Sequence, residues 1–177
     1  MKLHIATLFS ALILTPSSSY AAQAPAHACT LLTVAEIGSA VGGQVGSSQE
    51  SSITIPNGPS KGQTMAGCMW KVGDRDMVSI NVIPALQGAE REAGLAGLNK
   101  VFEGLKAKGW TEDKRTIGNA RCSVMTPPAS QKDVPLMSGC MAEAKGLALS
   151  VGSMSPTKQA AMEQLKTLLD KATTRLP

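Results

Sequence analysis

Four cysteines and, past the initiator, eight methionines carry most of the chemistry open to this chain, and their placement is not random. Met65-Ala66-Gly67-Cys68-Met69 returns 72 positions later as Met137-Ser138-Gly139-Cys140-Met141. Thiolate and thioether sulfurs are soft donors that select Cu(I). Met65, Cys68, Met69, Met137, Cys140 and Met141 are therefore a candidate copper set. On a strand, however, Met69 and Met141 point away from the cysteines beside them, and methionine also serves as an ordinary filler of apolar gaps. The competing chemistry is disulfide formation, for which four cysteines allow three pairings. Antiparallel strands over 119–126 and 136–144 would set Cys122 opposite Cys140. Cys29, at the entrance to the first helix, then pairs with Cys68. That reading needs no metal and no cofactor, and it is the expected one.

Catalytic patterns are scarce. His27 is the one histidine outside the first 21 residues, and no Gly-x-Ser-x-Gly elbow occurs, so a serine triad lacks both base and nucleophile. Acid–base work by paired carboxylates would fall to Asp74 with Asp76, Glu90 with Glu92, or Glu112 with Asp113. These lie where turns or exposed helix faces are expected. Gly42-Gly43 lacks the partner residues of a phosphate-binding loop. The expectation is a protein that is not an enzyme. The formal charge of +4 is mild, and Lys114-Arg115 is the only adjacent basic pair. Beyond residue 21 the aromatic residues are Phe102, Trp70 and Trp110. Nucleic-acid grooves need a basic stripe and stacking platforms, so that partner class is excluded.

The start of the chain reads as an export signal. Lys2 is followed by an apolar run over 3–14, and Ser19-Tyr20-Ala21 offers small residues where a signal peptidase cuts, placing cleavage after Ala21. The run is too short for a permanent transmembrane anchor. The expected location is periplasmic or secreted. Lipidation at Cys29 is disfavoured, because it would leave an odd number of thiols. Removing 21 of 177 residues leaves 156, enough for one domain.

Residues 22–28 read as a disordered lead-in to a single α+β domain over 29–177. Thr33-Val34-Ala35-Glu36 is a capping box, and Gly42-Gly43 ends its helix. Residues 44–64 read as a polar loop with a short strand at Ile53–Ile55. Strands follow at 68–72 and 77–83, where Val78, Ile80 and Val82 alternate with polar residues. A glycine-bearing helix over 85–108 comes next. Strands at 116–126, 136–144 and 147–151 lead to a helix capped by Ser155 and opened by Pro156, with an apolar stripe from Ala161 to Leu176. The repeated phrase and these elements predict an antiparallel sheet with packed helices. Two related strand–strand–helix units, about 29–108 and 109–177, would build it.

Cys29, the Leu31-Leu32-Thr33 entrance with Glu36-Ile37, the Gly-Gly stop and Cys68-x-Trp70 together resemble small exported bacterial proteins and lipoproteins of the DUF3558 type. The likeness covers the first third of the mature chain. It implies an α+β cell-envelope domain and assigns no activity. The resulting expectation is a binding or interaction domain whose partner, a protein or small ligand of the envelope, is unspecified. Loops 44–64 and 127–135 would form one composite edge for it. The alternatives are the copper(I) binder above and an inhibitor or immunity protein of an envelope enzyme.

Overall fold

Period-two alternation sets the faces of the sheet. In β3 (Asp76–Pro84) Val78, Ile80 and Val82 are buried. In β7 (Leu147–Ser155) Leu147, Leu149 and Val151 are buried, and the residues between them are half-buried. The structure, a computed structural model, describes residues 27–131, 133–155 and 160–177. The expected signal and most of the lead-in fall outside the described residues, as does the helix opening at Pro156.

Seven strands form one antiparallel sheet. The remaining strands are β1 (Val45–Thr54), β2 (Thr64–Val72), β4 (Thr111–Ile117), β5 (Ala120–Thr126) and β6 (Leu136–Ala144). Their order across the sheet is β1-β2-β3-β7-β6-β5-β4. The helices are α1 (Val34–Val41), α2 (Gly88–Lys106) and α3 (Met162–Thr174), with a 3-10 turn at Ala28–Leu31. The fold class is α+β. The two copies of the repeated phrase fall on β2 and β6, and the strand after each, β3 and β7, meet at the centre.

One face of the sheet is a closed core. Cys68, Trp70, Ile80, Val151 and Cys140 point into it, against Leu165, Leu168, Leu169 and Ala172 of α3 and Leu31, Leu32 and Ile37 near the N-terminus. Burying each large aliphatic side chain contributes roughly 1.5–3 kcal/mol. Glu36 ties the covering layer together. It closes the capping box with Thr33, whose N–H donates to it at 2.9 Å, and it accepts Arg175 at 2.7 and 2.8 Å. Lys171 lies 3.3 Å away. Arg175 foremost holds the Glu36 carboxyl well below the usual carboxylate range.

Several local readings change. Nearly half of the polar stretch 44–64 is the ten-residue strand β1, paired with β2 from Val45↔Val72 to Thr54↔Thr64. Main-chain pairing holds it where sequence alternation is absent. The single strand expected at 116–126 is a hairpin, β4 and β5, turned at Gly118-Asn119. Ser155 ends β7 rather than capping a helix, and Ala161 is the N-cap of α3. Ala28 is buried in the 3-10 turn, so the lead-in does not stay loose up to residue 28. Loops 55–63 and 127–135 leave opposite ends of the sheet, because β1–β2 and β5–β6 turn at opposite ends of the strand register. The composite edge does not form.

Candidate functional site

The second face of the sheet is built from different residues. The register aligns them in cross-strand rows. Ser79, Gly152, Gly139, Ser123 and Lys114 follow one another from β3 to β4. The neighbouring row is Asn81, Ser150, Met141, Arg121 and Thr116. The middle of the first row, Gly139 beside Gly152, has no side chains at all. These small residues leave a trough across five strands, about 19 Å long at roughly 4.8 Å per strand spacing.

Helix α2 lies over this trough. Leu95, Leu98 and Phe102 face the space beneath, at three- and four-residue spacing on one helix side. A cavity of about 480 Å³ separates helix from sheet, within the usual range for small-molecule sites. α2 buries none of its residues, and Leu98 and Val101 stay 38% and 59% exposed. Gly97 and Gly104 have open space around them, so packing does not explain them. The helix is held mainly at its ends. Arg91 pairs with Glu143 of β6 at 3.0 Å, and Lys106 pairs with Glu112 of β4 at 3.1 Å.

Glu112 is the most confined charge of the site, its side chain 1% exposed. Its oxygens lie 3.1 Å from Lys106 and 3.0 Å from Lys114, yet neither makes a well-directed hydrogen bond. Burial pushes this carboxyl up. The two lysines outweigh burial and leave it below its ordinary value. Lys106, beside Glu103 and Glu112, is shifted up. Lys114 reaches from the floor to the roof, its ammonium 5.2 Å from the centre of the Phe102 ring. Arg115 is occupied by Asp113 at 3.1 Å. Arg121 makes no ion pair among the described residues.

The residues singled out by sequence distribute as follows. Cys29 is bonded to Cys68 and Cys122 to Cys140, all on or beside the closed core. Their sulfurs are therefore not free thiolates for copper. Met65, Met69, Met137 and Met141 lie on the opposite, cavity-bearing face. All seven strand methionines share that face. Four of them, Met77, Met154, Met137 and Met125, stand side by side on β3, β7, β6 and β5. Asp74, Asp76, Glu90 and Glu92 are not brought into the cavity. Of the carboxylate pairs only Glu112 lines it, while Asp113 turns to the other side of β4. His27 lies 3.1 Å from Glu50, outside the cavity and 73% exposed.

Sequence reading missed the cavity. Its signals were the paired serines and glycines of the strand positions alternating with the core, and a helix whose four glycines leave it few side chains to fill the space beneath.

No family model matches the chain, and no curated protein matches it. The fold is similar to the crystal structure of the extracellular domain of PknH from Mycobacterium tuberculosis. The identity is 15%, the TM-score is 0.52, and the match covers 84% of this chain and 93% of that one. At that identity the likeness speaks to the fold alone.

Proposed function

We propose that the protein is an exported, non-catalytic binding domain whose site is the cavity beneath α2. One observation carries the reading. A sheet face floored with glycine and serine is roofed by a helix that buries nothing, so the space between them is kept open rather than filled. A merely structural helix would bring side chains into the trough, as α3 does on the other face. Two disulfides and an apolar leader support export. The fold shared with an extracellular domain agrees with it. We read the two halves around β3 and β7 as related units whose helices took opposite tasks. The non-catalytic reading is supported by a cavity lining that holds no histidine and whose two cysteines are both in a disulfide.

Native mass spectrometry of protein taken from its own compartment tests the site. A small molecule should accompany the wild type and be lost from Gly152→Leu. The Cβ at that position meets nothing closer than 3.4 Å, so the backbone admits a side chain that then fills the trough. A ligand retained equally by both proteins would sink the reading.

The row of Met77, Met154, Met137 and Met125 favours a second reading, a thioether site for Cu(I) that leaves the disulfides intact. Titrating oxidised protein with Ag(I), a stable soft-ion mimic, separates the two. Stoichiometric binding lost in Met137→Leu supports the metal, and silence removes it.

A further inference from the structure

We propose that the cavity takes a single-tailed anionic amphiphile, its acidic head at Arg121 and Lys114 and its apolar body along the Gly139–Gly152 trough; this rests on the cavity being a binding site. The shape selects an elongated guest. The trough crosses five strands, and a bulky guest would meet the helix above it. The polarity changes along its length and height. Leu95, Leu98 and Phe102 give an apolar roof, while the glycines of the floor expose backbone and allow close approach. Met141, with its flexible thioether, can adapt to a chain of variable length.

The charges lie at one end. Arg121 is on β5 and Lys114 on the neighbouring edge strand β4, both lining the cavity. Arg115 is occupied by Asp113, and Glu112 already has Lys106 and Lys114 as partners. Of the three cations that line the cavity, Arg121 is therefore the one with no ion pair among the described residues. An oxyanion placed beside it gains charge-assisted hydrogen bonds from a planar, bidentate donor. The opposite end, at Ser79 and Asn81, is polar but uncharged. A cationic head would instead meet Arg121 and Lys114 and be repelled, and Glu112 is too well neutralised to attract it.

Two sources share this chemistry, a free fatty acid and a monoacyl phospholipid. Calorimetric titration of intact oxidised protein distinguishes them. Its ligands are dodecanoate, a monoacyl phosphatidylglycerol with the same chain, and dodecyltrimethylammonium, each below its micellar concentration. At least one anion should bind about tenfold or more tightly than the cation. Preference between the two anions identifies the source. Arg121→Ala should lose about tenfold for the anion and leave the cation unchanged, and Arg121→Lys should recover part of that loss. Gly152→Leu, or Gly139→Leu if the first variant melts early, should abolish binding of every tail. Equal affinity for anion and cation overturns the ligand class. So does the absence of any amphiphile binding while native protein still carries a small molecule. Unchanged binding in a folded Gly152→Leu protein overturns the cavity itself, a separate failure.

Discussion

Helices α2 and α3 lie on opposite faces of one sheet and do opposite things. α3 buries Met162, Leu165, Leu168, Leu169 and Ala172 against the sheet, while α2 buries no residue fully. The difference begins in the sheet. The closed face offers valine, leucine, isoleucine and tryptophan, which dictate close packing. The open face offers glycine, serine, asparagine and methionine, which do not. It is completed in the helices, where α2 carries Gly88, Gly94, Gly97 and Gly104 and α3 carries no glycine. One face supplies stability, and the other can spend little of it and stay open.

The largest effect should come from cutting the link that fastens the covering layer. Cys29→Ala with Cys68→Ala releases a 39-residue separation, and chain-entropy bookkeeping puts the loss at about 4 kcal/mol. Urea unfolding should show it. Hydrogen exchange should quicken around residues 28–41, while the α2 amides change little. Equal quickening in α2 would break the independence of the two faces. Next comes the direct contrast. Leu168→Ala, 1% exposed, should cost about 3 kcal/mol. Leu98→Ala, 38% exposed, should cost under about 1 kcal/mol. Equal losses would mean that α2 is packed as firmly as α3.

The same contrast explains what could be read beforehand. Val78, Ile80 and Val82 in alternation, Thr33 with Glu36 as a capping box, and the stripe from Ala161 to Leu176 all announce one-sided burial, which is a local signal. The α+β class followed from them. Only the end of β1, at Ile53-Thr54, was legible as a strand, because Val45–Thr54 is exposed along nearly all its length and owes its form to pairing with β2. The cavity was illegible for a related reason. Gly139 meets Gly152 only through the register of β6 with β7, and Arg121 and Lys114 converge only because β4 and β5 are a hairpin. Emptiness is a property of two elements that fail to fill each other, and neither sequence states it alone.

Charge should separate the faces by pH. The Glu36 carboxyl, 14% exposed, is lowered chiefly by Arg175, and that of Glu112 by Lys114 and Lys106 against burial. For a carboxyl lowered in the folded state, the stabilisation is fully present above its unfolded value. It is lost as pH falls through the lowered folded value. Stability should therefore decline below about pH 4.5, near the unfolded glutamate value. Glu36→Gln should flatten part of that decline and cost about 1–2 kcal/mol at neutral pH, measured by urea titration. Glu112→Gln should leave global unfolding nearly unchanged and raise exchange in the last turn of α2, where Lys106 loses a partner. A large global loss in Glu112→Gln would make the latch part of the core.

The smallest change is the sharpest test of why α2 is built as it is. Gly97 and Gly104 sit in the helix interior, and an added Cβ meets nothing within 4 Å at either position. Alanine there removes backbone freedom from the unfolded chain without crowding anything, which should stabilise the helix by about 0.4–1 kcal/mol per site. Unfolding of the whole domain should barely register it, because α2 contributes little to the core. Local exchange should register it fully, as several-fold slower opening of α2. If the helix must lift for the cavity to fill, the double variant should also bind and release its ligand more slowly at nearly unchanged affinity. Faster exchange in the variant would mean that the glycines serve a contact rather than mobility, and the comparison between the two helices would rest on the sheet residues alone.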